Sequence, residues 1–360
     1  MKPMAVMQVE DITIGDGHEV VFIAEIGANY EQDIEVAKLL LQKAKDAGAK
    51  LAKMECFRTE DVYRLKAMEG VNYSYATAHG ECTEDWISHV APKSMSMDEY
   101  AEIISYSISI GLPIFASVYD MEMMEKMVDL DVCAVKIASC NVVNLALIEH
   151  AGKLKIPVFM DTNHSLLDHI ARAVLTARKA GVENFLLMHN PIGKRPTPPE
   201  KHNFLVMKSY HDIFNVPIGF SCHYRGEEMM YAAIALGTHA IEKPVSRDPD
   251  IADSDYVFSL QVDDLAEVVT RCVNVWKSRG KGLLEPCDVP EYHTERLSPC
   301  ARRKISKGET LSLVNVTFKR PSGSITADYW RQMEGKTVRM DIEPDELIQW
   351  GHLEIDPEER

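Results

Sequence analysis

Short apolar runs alternate with segments of helical period along most of the chain. The runs are continuously apolar, the pattern of strands covered on both faces of a parallel sheet. They are residues 20–29, 50–55, 113–118, 132–139, 157–162, 184–190, 217–223 and 239–245. Amphipathic segments such as 33–47 and 165–180 predict helices that end at Gly48 and Gly181. This order predicts an α/β fold, a (β/α)8 TIM barrel over residues 1–283, with a doubly wound open sheet as the alternative.

Three segments depart from the repeating strand and helix. Residues 58–95 form a long insertion, which we expect to extend the second βα loop over the active-site face. Residues 284–298 carry prolines without a helical period, which predicts a linker. Residues 299–360 contain short strand-like pieces separated by turn residues. They predict a small, separate β-rich domain.

Composition limits the classes of partner. The chain has 360 residues, with 39 Lys and Arg against 55 Asp and Glu, a formal charge of −16. That balance argues against nucleic acid or a membrane surface as a partner, although a local basic cluster could still bind a small anion. No apolar run approaches the roughly 18–20 residues of a membrane span. The N-terminus lacks the order of a signal peptide, and eight scattered cysteines without a CxxC pair predict reduced thiols in a cytoplasmic protein.

The candidate functional residues lie at the carboxyl ends of the predicted strands, where barrel enzymes have their active sites. Lys53, Lys136 and Lys243 lie inside or directly after apolar runs, where an unpaired ammonium group is costly to bury. If they converge, they form a site for a multiply charged anion such as a phosphate or carboxylate. The alternative is that each lysine pairs with a nearby carboxylate. The carboxylates concerned are Glu55, Asp161 and Glu242.

Two histidines follow neighbouring predicted strands. His189 and His223 end strands six and seven, where imidazoles could bind a divalent metal, shuttle a proton or serve only as hydrogen-bonding groups. His202 and His211 fall in predicted helical segments, and we expect them at the surface.

Several motifs resemble one known family. AEIG (24–27), KIAS (136–139), SKGE (306–309) and FKRP (318–321) occur in the order and spacing of the sialic acid synthases, and the likeness covers nearly the whole chain. The part after residue 299 is similar to that family's antifreeze-like (SAF) domain. The resemblance implies a transferase that condenses phosphoenolpyruvate with an amino-sugar aldehyde. The product would be a nonulosonic, sialic-acid-like 2-keto acid, with release of phosphate.

The resemblance also implies roles for individual residues. It implies catalytic roles for Glu25, Asn29 and His223. It implies that phosphoenolpyruvate binds to Lys53, Lys136, Ser139 and Ser221. His223 matches one of two histidines that hold a divalent metal, usually manganese. Arg320 matches an arginine that one protomer sends into its partner's sugar site, which implies a domain-swapped homodimer.

The chain departs from the family pattern at the expected metal site. Pro244 stands where the family has its second metal-binding histidine, and a proline cannot be a ligand. DTNH (161–164) replaces STGM, HNPIGKRP (189–196) replaces HCTxxYP, and Glu55 replaces glutamine. His189 is our first candidate for a replacement ligand. The alternatives are a metal-independent barrel aldolase or lyase acting on a related 2-keto acid, or a non-catalytic ligand-binding homologue.

Overall fold

The computed structural model describes residues 4–27, 29–191, 193, 195–280, 282–283 and 291–354. The chain divides into two compact units, residues 1–280 and 281–360. The linker predicted at 284–298 lies outside the described residues as far as residue 290. Beyond that point it contains a short helix, Tyr292–Glu295, and the start of a strand at Ser298.

Eight parallel strands form a closed barrel in the first unit. They are β1 (Val21–Gly27), β2 (Leu51–Glu55), β3 (Ile114–Val118), β4 (Val135–Ile137), β5 (Val158–Asp161), β6 (Phe185–His189), β7 (Ile218–Ser221) and β8 (Ala240–Ser246). Each pairs with the next, and β8 pairs with β1 in register Ala240 to Val21. Because β7 also pairs with β8, the sheet has no edge, and the predicted TIM barrel is confirmed. The alternative of an open doubly wound sheet is wrong.

A helix follows each barrel strand. The eight are α1 (Ile34–Asp46), α2 (Met97–Ser109), α3 (Met121–Asp129), α4 (Leu145–Leu154), α5 (Leu167–Lys179), α6 (Leu205–Phe214), α7 (Glu228–Ala235) and α8 (Leu265–Ser278). Local sequence sets several ends: Ser96 and Glu99 form a reciprocal capping box at the start of α2. The predicted stop residues Gly48 and Gly181 have φ angles of +90° and +79°, a conformation that favours glycine.

The barrel interior is apolar toward the N-terminal ends of the strands and polar toward their carboxyl ends. An antiparallel hairpin (Val6–Val9 and Ile12–Gly15) closes the N-terminal end of the barrel, with Met7 and Ile14 fully buried. They pack with inward-facing strand residues, including the stacked rings of Phe115 and Phe159, whose centroids lie 4.3 Å apart. Since side chains alternate along a strand, the next inward positions carry the polar groups. Leu51 is thus followed by Lys53, and Phe159 by Asp161.

The insertion after β2 is a structured cap. It contains two short helices (Thr59–Val62 and Leu65–Met68), a hairpin (Asn72–Thr77 with Gly80–Asp85) and a helix (Trp86–Val90). Lys93, just beyond it, pairs with Asp253 in the segment after β8, and His89 lies 3.2 Å from the Ser254 hydroxyl. These contacts fix the hairpin against the carboxyl side of the barrel.

The second unit is small and built largely from single β-bridges. One antiparallel pair joins Ser298–Ala301 to Val316–Lys319, and isolated bridges such as Ile305 with Ile342 complete the β structure among its described residues. A compact apolar core packs beneath them and includes Trp330 and Met333 of a short helix, Trp330–Met333. This architecture confirms the predicted β-rich domain. None of the described helices in either unit is long and apolar enough to cross a membrane.

Candidate active site

Lys53 lies at the centre of a buried ion cluster at the carboxyl ends of β1 and β2. Its side chain is 2% exposed, and its ammonium group binds the Glu25 carboxylate and lies 3.3 Å from Glu55 Oε1. Burial raises the pKa of Glu25 to about 7, although the nearby charge of Lys53 acts in the opposite direction. Glu25 is therefore close to half-protonated at neutral pH, which suits a group that gives and takes protons.

Lys136 forms a second ion cluster across the barrel interior. Its ammonium group binds Glu242 Oε1 and lies 3.4 Å from Asp161 Oδ2. Ser221 Oγ donates to the same Glu242 oxygen at 2.8 Å. Burial raises the pKa of Glu242, but the charges of Lys136 and Lys53 outweigh it and hold that pKa below its ordinary value. Both lysines therefore lie inside the barrel with carboxylates already beside them.

A hydrogen-bond chain orients His223. Asp161 Oδ2 accepts from Asn190 Nδ2 at 2.9 Å, and Asn190 Oδ1 lies 3.1 Å from His223 Nδ1. The Asn190 oxygen can only accept, so the His223 proton belongs on Nδ1 and Nε2 carries a lone pair. Burial, with the positive charges of Arg195 and Lys136, holds the pKa of His223 well below its ordinary value. His223 is a neutral acceptor at this mouth.

Two further predicted residues lie at the same end of the barrel. Asn29 is 2% exposed, and its side-chain amide donates to the Val245 carbonyl oxygen at 3.4 Å, which links the ends of β1 and β8. Ser139 begins a single 3-10 turn (Ser139–Asn141) two residues after β4 and is half-buried. Ser139 therefore lies at the carboxyl end of β4, the strand that also carries Lys136.

The donors at the mouth do not fit the metal site that the resemblance implies. Pro244 lies beside Glu25 in the β8–β1 register and offers no ligand atom. His189 Nε2 donates to the His202 carbonyl oxygen at 2.6 Å, so that nitrogen has no lone pair for a metal. His164, the last residue of the DTNH segment, is exposed. The lone pair of His189 therefore lies on Nδ1, but no three His, Cys, Asp or Glu donor atoms among the described residues of the mouth lie close enough together to hold one metal ion.

A separate cluster lies at the opposite end of the barrel. Asp16, His211 and His239 are the group of three, among the described residues, whose donor atoms are close enough for one metal ion. Both imidazole Nε2 atoms lie near Asp16 Oδ1, at 3.1 and 3.2 Å. However, the Ile218 backbone N–H donates to His239 Nδ1 at 3.0 Å, which assigns the His239 proton to Nε2. Metal ligation by His239 would require that contact to break.

Two predictions from the sequence differ from the structure. Lys243 does not join the other lysines: its ammonium group donates to the carbonyl oxygens of Tyr224 and Gly226 and so holds the loop after β7. Side-chain alternation explains this difference, because Glu242 takes the inward position and Lys243 the outward one. His202, expected at the surface, is 1% exposed, and its ring lies among Phe204, Phe220 and Tyr224.

A cavity of about 290 Å³ lies under the inserted hairpin and is also lined by Arg195, on which the charges of Glu25 and Glu55 act. Tyr73 and Tyr75 stack on one wall with centroids 5.3 Å apart, and Arg195 and Ser254 contribute polar groups. Arg195 lies 3.5 Å from Asp255, and its charge also acts on Glu55 and His223. Sequence reasoning missed Arg195, although it stands in the altered segment 189–196.

Arg320 lies in the second unit, apart from the barrel residues in the chain. It is exposed and pairs with Glu295 of the short helix that precedes that unit's first strand. Both partners of this ion pair belong to the second unit.

Comparison with known proteins agrees with the fold. The NeuB family model matches residues 40–283, and the SAF domain model matches residues 300–354. The N-acetylneuraminate-9-phosphate synthase of Mus musculus is 30% identical, over 93% of this chain and 93% of its own length. The N,N'-diacetyllegionaminic acid synthase of Campylobacter jejuni is 28% identical, over 91% of this chain and 98% of its own.

A solved structure gives the same picture. The crystal structure of N-acetylneuraminic acid synthetase from Leptospira borgpetersenii, in complex with citrate, is 25% identical with a TM-score of 0.70. The similarity covers 79% of this chain and 94% of that one. With the closed barrel, the buried lysines at its mouth and the SAF domain, the chain belongs to the NeuB family.

Proposed function

We propose that this protein is a nonulosonic acid synthase, which condenses phosphoenolpyruvate with the aldehyde of an amino sugar. One observation carries the proposal: Lys53 and Lys136 are buried at the same end of the barrel, beside a glutamate whose pKa is raised to about 7. Two ammonium groups in a closed site suit a ligand that carries both a phosphate and a carboxylate. The synthase names of the relatives support the same reaction class.

The chemistry follows from what each group can do. Lys53 and Lys136, with the hydroxyls of Ser139 and Ser221, hold the phosphate and carboxylate and present the enol carbon C3 to the aldehyde. As the new carbon–carbon bond forms, protonated Glu25 gives its proton to the aldehyde oxygen. Water then adds at C2 and returns one proton to Glu25. The C2–O bond to phosphate breaks as the new C2 hydroxyl becomes the ketone, and the hydroxyl proton passes to the leaving phosphate. The products are the 2-keto acid and inorganic phosphate.

We assign the acceptor sugar to the cavity under the inserted hairpin. The stacked faces of Tyr73 and Tyr75 suit the apolar face of a sugar or an N-acyl group. Arg195 lies between this cavity and the ion clusters, where a guanidinium can donate to the acceptor oxygens. Asn29 lies at the end of β1, two residues beyond the strand, and is our candidate for a further contact with the acceptor.

No step of this mechanism passes through a metal, because Pro244 replaces the family's second histidine and no three donor atoms among the described residues of the mouth lie close enough to hold one ion. Pro244→His tests that reading. We expect wild-type protein to lose manganese during dialysis and Pro244→His to retain more, since the second histidine then stands near His223. Metal content by mass spectrometry measures the difference.

The double variant Pro244→His with His223→Ala is the control and should lose the gained metal. If wild-type protein keeps stoichiometric manganese through dialysis, our account of the site is wrong. If Pro244→His gains none, the cations around His223 exclude a metal even from a complete ligand pair.

We also propose that Arg320 reaches the acceptor site of a partner protomer in a domain-swapped homodimer. Arg320→Ala should then raise the KM for the acceptor about tenfold or more and leave the KM for phosphoenolpyruvate nearly unchanged. Arg303→Ala is the matched control, because Arg303 is another exposed arginine of the same domain and pairs with Glu309. A monomer in light scattering at micromolar concentration would contradict the proposal.

The test of the function is phosphate release from phosphoenolpyruvate in the presence of different acceptors. The panel contains N-acetylmannosamine, its 6-phosphate and 2,4-diacetamido trideoxyhexoses, each with manganese and with chelator. We expect acceptor-dependent release of one phosphate per 2-keto acid formed. Cleavage of the keto acid without phosphate would favour the aldolase alternative, and ligand binding without turnover would favour the non-catalytic one.

A further inference from the structure

We propose that Glu55 and Asp161 are internal counter-ions of the anion site, which weaken the binding of an anionic ligand and couple it to the uptake of a proton. Glu55 and Asp161 stand where the sialic acid synthase pattern has the uncharged residues glutamine and serine. The identity of the ligand, phosphoenolpyruvate, rests on the proposed function. The role of the two carboxylates rests on the charges and contacts of the cluster.

The cluster holds more carboxylates than ammonium groups. Each lysine has one partner in direct contact, Glu25 for Lys53 and Glu242 for Lys136. Each also has a second, longer contact, to Glu55 at 3.3 Å and to Asp161 at 3.4 Å. Four carboxylates thus surround two lysines at the mouth. An arriving phosphate must compete with the two that make the longer contacts.

The two counter-ions are held differently. The Glu55 side chain is 32% exposed and can turn away from Lys53 toward the opening. Asp161 is 3% exposed and fixed, because its carboxylate accepts from the Asn163 backbone N–H and from Asn190 Nδ2, both at 2.9 Å. A bound anion can therefore displace Glu55, whereas it must remain close to the charge of Asp161. Like charges in a buried site favour the uptake of a proton.

Glu25 is the group that takes the proton. Its Oε1 atom faces Lys53, but its Oε2 atom is buried without a hydrogen-bond partner, and a desolvated oxygen of this kind makes the charged form costly. Its pKa is raised by burial to about 7, and a nearby anion raises it further. Glu242 also has an unpartnered oxygen, but Lys136 and Lys53 keep its pKa low. Glu25 is thus a carboxyl group of the cluster whose pKa lies near neutral pH.

The surrounding groups do not compete for this proton. Burial holds the pKa of His223 low, so the ring is neutral, and Arg195 stays charged. Burial also raises the pKa values of the phenols and thiols that face Glu55, which are therefore neutral. These groups are Tyr63, Tyr119, Cys56 and Cys140.

The experiment measures phosphoenolpyruvate binding by calorimetry without acceptor, so that no turnover occurs. Glu55→Gln and Asp161→Ser should each bind phosphoenolpyruvate about tenfold more tightly than wild type, because each removes one negative charge beside a lysine. In wild type above neutral pH, titrations in buffers of different ionisation enthalpy should show uptake of close to one proton. That uptake should fall in both variants.

Glu102→Gln is the matched control, since it removes one exposed carboxylate that pairs with Lys38 on the helical surface. It should leave affinity and proton uptake unchanged. Each position is judged on its own: a variant that binds phosphoenolpyruvate no more tightly than wild type removes that residue from the proposal. Wild-type binding without proton uptake would overturn the coupling.

Inorganic phosphate is the second probe, and it separates this proposal from the proposed function. If no protein binds phosphoenolpyruvate but phosphate affinity still rises in Glu55→Gln and Asp161→Ser, the counter-ions are real and the proposed substrate is wrong. If wild type binds phosphoenolpyruvate tightly, without proton uptake and with no gain in either variant, the substrate stands and the counter-ion role fails.

Discussion

Lys136→Ala is expected to destabilise the barrel and to weaken the binding of phosphoenolpyruvate. The substitution leaves Glu242 and Asp161 without the ammonium group that neutralises them, and both are almost fully buried. Breaking a buried ion pair on one side costs about 3–5 kcal/mol of unfolding free energy. Loss of a charge-assisted partner in a closed site weakens ligand binding by a further ~2 kcal/mol or more. Urea denaturation and calorimetry measure the two effects separately.

The control is Lys126→Ala, which removes an exposed lysine paired with Glu122 one helical turn away. Exposed pairs of this kind contribute at most about 1 kcal/mol. The Lys136→Ala loss should be larger at alkaline than at mildly acidic pH. Without Lys136, burial raises the pKa of Glu242, so protonation at lower pH removes the uncompensated charge. A loss no larger than that of Lys126→Ala would show that Lys136 is not the neutralising partner.

The barrel could be predicted from sequence because its signals are local and repeated. Strands buried on both faces are continuously apolar, and Gly48 and Gly181 stop their helices with left-handed backbones, as the pattern indicates. The strand of 132–139 is shorter than its apolar run, at Val135–Ile137, because Ser139 already begins a 3-10 turn. Apolar character marks burial, whereas strand pairing sets the ends.

The candidate site was predictable only as far as strand ends and alternation specify it. Lys53 and Lys136 both occupy inward positions of their strands and could be assigned to one mouth. The outward direction of Lys243 depends on the register of β8, which sequence alone left undetermined. The orientation of His223 by Asn190 is a contact between two loops that are distant in sequence. No periodic pattern encodes such a contact.

Glu25→Gln is expected to lower kcat by about 10²–10⁴-fold while phosphoenolpyruvate still binds, because glutamine resembles the protonated acid but cannot transfer a proton. In wild type, kcat/KM should fall as pH rises above about 7, which is the pKa of Glu25. The reason is that protonated Glu25 has two roles: it allows the anion to bind, and it protonates the aldehyde oxygen. Phosphate monoesters complete their own ionisation near pH 6, so a decline above 7 belongs to the protein. In the variant this decline should disappear.

The pH dependence of the unfolding free energy tests the protonation of Glu25 independently of catalysis. The pKa of Glu25 in the folded protein lies above that of an exposed glutamate, so its contribution to stability is full at acidic pH and is lost as pH rises through about 7. Glu25→Gln should therefore flatten the pH dependence of the unfolding free energy over this range. Glu31→Gln, which removes an acid paired with Arg247 outside the cluster, should change neither profile. If Glu25→Gln keeps the wild-type kcat and the decline above pH 7, the proton donor is another group, and the mechanism built on Glu25 is wrong.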